Sequence, residues 1–181
     1  SEEEVEINFA KALQMSLYFY DANKCGSGIT GGNLEWRGDC HTEDAAVPLK
    51  PMGEDYKGTN LSQKFIDANR DILDPDGDGT IDVAGGMHDA GDHVKFCLPG
   101  SYAASTLGWG YYEFRDAYVD SGQQWHIEDI LHWFNDYYLK CTYFDENGDI
   151  LAFCYQVGEG DIDHNYWKAC WTLHGRHILQ R

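Results

Sequence analysis

Apolar residues at Phe9, Leu13, Leu17 and Tyr20 recur at helical spacing behind an acidic first turn, which predicts a helix from roughly Glu6 to Ala22. Gly26 and Gly28 end it. The stretch from Ser27 to Tyr56 reads as loop, with Pro48 and Pro51 preventing a long helix. A short helix is expected from about Leu61 to Leu73, capped by Thr59 or Asn60. Two longer helices follow. Ser101 to Tyr118 carries Ala103, Leu107, Tyr111 and Phe114 on one face, and Gln123 to Lys140 carries Ile127, Leu131, Phe134 and Tyr138. Only Ile150 to Val157 has the look of a strand. Helices separated by long loops, with almost no sheet, predict an all-α array whose loops carry the site. The Gly/Asp segment Asp74 to Pro99 is too long for a simple connection, and such loops are usually functional.

A chain of 181 residues fits one domain with a real core. Its net charge of −18 excludes a nucleic-acid partner that needs phosphate neutralisation, and argues equally against an anionic membrane surface. No stretch approaches the ~20 consecutive apolar residues of a membrane span. The start, Ser1-Glu2-Glu3-Glu4, is the reverse of a basic signal region, so the chain is either cytoplasmic or has already lost its signal. With 8 Phe, 12 Tyr and 6 Trp, the apolar mass lies in rings, which bind sugars as readily as they fill cores.

Within the long loop, Gly85-Gly86-Met87-His88-Asp89-Ala90-Gly91-Asp92-His93 sets two aspartates three residues apart between glycines, a spacing that allows both side chains to converge on one water. An isolated Asp-x-x-Asp is more often a solvated turn. Its context is more specific. The run from Gly85 to Pro99, with Ala12 to Tyr20, Trp36-Arg37-Gly38-Asp39 and Tyr155-Gln156-Val157-Gly158-Glu159-Gly160-Asp161-Ile162-Asp163-His164-Asn165-Tyr166-Trp167, resembles glycoside hydrolase family nine cellulases.

The resemblance covers about Ile7 to Trp167 and implies the N-terminal portion of an (α/α)6 barrel that hydrolyses β-1,4-glucan with inversion. Residues 168–181 depart from the family pattern, which points to truncation or an altered reading frame. On the matching positions, Asp92 would be the general base and Asp89 its partner, with His164 and Trp167 contacting substrate. The family's general acid, a glutamate far toward the C-terminus of the full module, has no match here. Glu159 belongs to a different motif and is not assigned that role. The substrate implied is cellulose or another β-1,4-glucan, and the location extracellular. Two other readings stand beside this one: a non-catalytic carbohydrate-binding fragment, and a zinc hydrolase with a vacant coordination position.

Cys25, Cys40-His41 and His88 could hold a structural zinc, a pattern the resemblance also implies; the alternative is a Cys25–Cys40 disulfide. Asp74, Asp76, Asp78 and Asp82 follow the first half of a calcium loop, but position twelve is Gly85 rather than glutamate. Spacing decides nothing for Cys97, Cys141, Cys154 and Cys170, so a Cys141–Cys154 bridge and free buried thiols both stand open.

Overall fold

The computed structural model describes residues 7–165. Helix α1 spans Phe9–Asn23, and its start is set by Asn8, whose side chain accepts from the Lys11 amide at 2.9 Å. The acidic residues Glu2 to Glu6 lie outside the described residues. The second helix forms as two pieces, α2 (Gln63–Ala68) and α3 (Arg70–Leu73), and Ser62 caps it rather than Thr59 or Asn60. The break falls at Asn69, whose side-chain amide donates to the Phe65 carbonyl at 2.8 Å and takes the place of the next helical turn.

Helix α4 runs over Cys97–Glu113, beginning four residues before the expected start because Pro99 falls in the first turn, where no amide is needed. The chain then breaks at Phe114 and resumes as α5 (Arg115–Asp120), so Phe114 is exposed rather than part of the buried face. Helix α6 covers Gln124–Lys140. Leu17 of α1, Tyr118 of α5, and Ile127, Ile130 and Phe134 of α6 form the main core, against which Ala103 and Leu107 of α4 pack.

Strands are more numerous than the sequence pattern shows. Three antiparallel pairs occur among the described residues: β1 (Val47–Pro48) with β2 (Thr80–Ile81), β3 (Lys95–Phe96) with β6 (Gln156–Val157), and β4 (Thr142–Phe144) with β5 (Ile150–Phe153). The single strand expected from Ile150 to Val157 is thus two, parted at Cys154-Tyr155. The first two pairs fix the ends of the long loop. A second core of Val47, Val83, Cys97, Tyr137, Cys141 and Val157 lies beneath them.

One face of α4 is not covered by the described residues. Leu98, Tyr102, Trp109 and Tyr112 lie along one stripe and are all at least 72% exposed. Phe9, Met15 and Phe19 on α1 are also at least half exposed. No helix among the described residues is long and apolar enough to cross a membrane.

Candidate functional site

The loop that carries the two aspartates is held by its carbonyl oxygens. Val83 and Gly85 accept from the Lys95 ammonium at 2.7 and 3.2 Å, Ala84 accepts from Lys140 at 3.1 Å, and Gly86 accepts from the Trp133 indole at 2.8 Å. Four consecutive carbonyls thus each meet a side-chain donor. Gly86 has φ +71, and a Cβ there would lie 2.7 Å from the Tyr137 ring, so this position needs glycine on both conformational and spatial grounds. Beyond it, His88 donates its amide to Asn23 and Asp89 to Val94, both at 2.9 Å.

Lys95 is 2% exposed and pairs with buried Asp44 at 2.9 Å. Burial opposes its charge, but Asp44 and Cys25 more than offset that penalty and hold its pKa above the ordinary lysine range. The sequence reading gave Lys95 no role. Its signal was a lysine between Val94 and Phe96-Cys97, an apolar run in which a charge requires a buried partner.

The two aspartates differ in exposure. Asp89 is exposed and lines an open cleft with Tyr20, Asn23, Phe96 and Tyr138. Asp92 is only 2% exposed. Its Oδ1 accepts from the Ala90 amide at 3.2 Å, and its Oδ2 lies 2.6 Å from His164 Nδ1. The His164 side chain is 46% exposed, so this pair reaches from the interior to solvent. Trp167 lies outside the described residues.

Glu159 is buried, and its Oε2 accepts from the amides of Asp161 and Ile162 at 2.6 and 2.9 Å, the geometry of a turn cap. Asp163 accepts from the Glu159 amide at 2.8 Å. Burial, reinforced by the negative charges of Glu159, Asp44 and Asp92, lifts its carboxyl from an ordinary 3.8 to about 6. The folded state therefore binds this proton more tightly than the unfolded chain, and the stability it contributes is lost as pH rises from about 4 through about 6. Asp163→Asn is expected to stabilise the protein relative to wild type progressively across that interval. Urea midpoints measured at both ends check this, and a constant difference would contradict it.

Cys25, Cys40, His41 and His88 are all buried, and one donor atom from each lies within 4.8 Å of the others. His41 adopts a left-handed conformation, φ 49 and ψ 39, that brings its Nδ1 to 3.0 Å from His88 Nε2 and 3.4 Å from the Cys25 sulfur. Cys25 and Cys40 are free thiols. A hydrogen bond from Cys25, aided by His88 and Arg37, pulls the Cys40 thiol down to about 4, while burial pushes His88 down to about 4. A thiolate and a neutral imidazole are the forms that bind metal.

Of the acidic loop, Asp74, Asp76 and Asp78 come together within the same limit. Asp82 does not join them. It pairs with Lys140 at 3.0 Å and accepts from the Ala84 amide at 2.9 Å. Among the remaining cysteines, Cys141 and Cys154 flank the β4–β5 hairpin as free thiols, joined by a 2.9 Å backbone hydrogen bond.

Comparison with known proteins places this geometry. The model of glycosyl hydrolase family 9 matches residues 9–179, and the chain belongs to that family. It is 33% identical to Endoglucanase 4 of a Bacillus species over 90% of its own length and 20% of that protein's. It is 34% identical to Endoglucanase A of Bacillus pumilus over 88% of its length and 19% of that protein's. Among solved structures, the catalytic domain of Clostridium thermocellum CelT superposes with a TM-score of 0.88 at 54% identity, covering 96% of this chain and 34% of that one. The cellulase Cel9M of C. cellulolyticum, solved also with cellobiose, gives 0.63 at 34% identity over 94% of this chain and 31% of that one in the complex. The helices seen here are accordingly part of an (α/α)6 barrel, and the chain spans a fifth to a third of the relatives it matches.

Proposed function

We propose that the chain supplies the water-activating side of an endo-β-1,4-glucanase site acting on cellulose or a related β-glucan with inversion. One observation carries this reading: a carbonyl-clamped loop that displays Asp89 in an open cleft and fixes Asp92 against His164. Asp92 is the base that takes a proton from water as it attacks the anomeric carbon. Asp89 orients that water, and His164 holds the base carboxylate and meets substrate at its exposed edge. The acid must stand across the cleft, with ~6.5 to 9.5 Å between carboxyls to admit the water. No residue described here fills that role. Phe19, exposed at the edge of this cleft, offers a flat apolar surface for a glucosyl unit.

The Cys25, Cys40, His41 and His88 set fits a structural zinc. Two sulfurs and two ring nitrogens converge in a buried pocket, which leaves no vacant position and disfavours a zinc hydrolase. Bound metal would tie the Cys25 and Cys40 loops to His88, the residue preceding Asp89. An insoluble glucan cannot enter a cell, so this reading places the protein outside it.

Asp92→Ala in the complete protein is expected to lower kcat for reducing-sugar release from soluble β-glucan by roughly 100-fold or more, with binding to cellulose retained. Activity unchanged by this substitution would overturn the assignment. Binding without any release by wild type would favour the carbohydrate-binding alternative, for which the burial of Asp92 is the supporting observation.

A further inference from the structure

The segment 74–82 precedes the proposed catalytic loop and supplies none of its reacting groups. Asp74 follows the last residue of α3 and leads into a turn whose Gly77 and Gly79 both have positive φ, bringing the chain to β2. Carboxylate oxygens of Asp74, Asp76 and Asp78 lie within 4.8 Å of one another. Asp76 and Asp78 are exposed, but Asp74 is 5% exposed. Its Oδ2 accepts from the Gly79 amide at 3.1 Å and has Arg70 at 3.7 Å. Its Oδ1 is buried and has no hydrogen-bond partner.

A carboxylate oxygen removed from water and given no donor is costly to bury, and two further carboxylates beside it add repulsion. The Arg70 guanidinium is 44% exposed and also shared with Asp67 at 3.3 Å. A hard cation removes both difficulties at once. We propose that Asp74, Asp76 and Asp78 bind a calcium ion, with waters and main-chain oxygens completing the shell. Calcium is favoured over magnesium because it accepts six to eight oxygens in irregular geometry, whereas magnesium requires a near-ideal octahedron and gives up water reluctantly.

Asp82, which the sequence pattern would enlist, is not a ligand here, because Lys140 holds it. The ion would instead join the end of α3 to β2. That strand pairs with β1, and two residues beyond it the Val83 amide donates to Asp44 at 2.9 Å. Calcium would therefore fix the approach to the carboxylate loop through β1, β2 and Val83, and the site is independent of the hydrolase reading.

The test is calcium titration of the complete, chelator-treated protein by calorimetry, with zinc content followed in the same samples. The Asp76→Asn/Asp78→Asn variant, altered only at exposed positions, is expected to bind one calcium fewer than wild type, or to bind it roughly tenfold or more weakly. Its zinc content should be unchanged. Asp82→Asn should bind calcium like wild type. The proposal is overturned if wild type takes up no calcium below about 10 mM, or if the double variant binds as wild type does. Equal affinity for magnesium would overturn the choice of ion.

Discussion

Lys95→Met is expected to cost about 3–5 kcal/mol of folding stability, the range seen when one member of a buried ion pair is removed. The ammonium has three protons, and Asp44, Val83 and Gly85 take all three. Methionine would fill much of the space against the Tyr137 ring, over which the ammonium lies at 5.0 Å, but it would leave the buried Asp44 charge without its cation. Adding Asp44→Leu should recover part of the loss, since replacing a whole buried pair with apolar groups is often neutral. Recovery should stay incomplete, because two loop carbonyls still lack a donor, at about 1–3 kcal/mol each. Urea unfolding of the two single variants and the double variant measures this. A Lys95→Met midpoint close to wild type would show that the clamp is not energetically important.

Cys40→Ser is expected to have a comparable or larger effect, with loss of about one zinc per chain. Apparent binding free energies of structural zinc reach about 10–16 kcal/mol in small domains, so weakening one of four ligands costs several kcal/mol. Part of the local structure should survive. Gly26 and Cys40 exchange two backbone hydrogen bonds, at 2.9 and 3.0 Å, and the Cys25 amide donates to Gly86 at 2.9 Å. The signature is therefore a lowered melting temperature together with metal loss, not an absence of folding. Metal analysis alongside thermal unfolding checks it, and unchanged zinc content in the variant would remove zinc from this site.

Helical periodicity located α1 and α6 well, because Leu13, Leu17 and Tyr20 of α1 and Ile127, Ile130 and Phe134 of α6 pack into one core. It could not reveal the breaks at Asn69 and Phe114, where a side-chain hydrogen bond or a local backbone turn outweighs the apolar pattern. Strands of two residues, such as Val47–Pro48 and Lys95–Phe96, are too short for any alternation to register. The Cys25, Cys40, His41 and His88 grouping and the carboxylate loop were legible because their residue types are rare in such combination. Which aspartate faces water was not. That depends on His164, 72 residues away from Asp92 in sequence, and no local spacing encodes it. Lys95 escaped notice for the same reason, since its partner Asp44 comes from a distant loop.

The stripe of Leu98, Tyr102, Trp109 and Tyr112 bears on how this stretch of polypeptide behaves when produced by itself. Four large side chains aligned along one helix form a seam suited to burial under neighbouring helices of the barrel. Left bare, the seam would drive copies together, so the segment should require co-expression with the remainder of the barrel, or a solubilising fusion, to stay dispersed in solution.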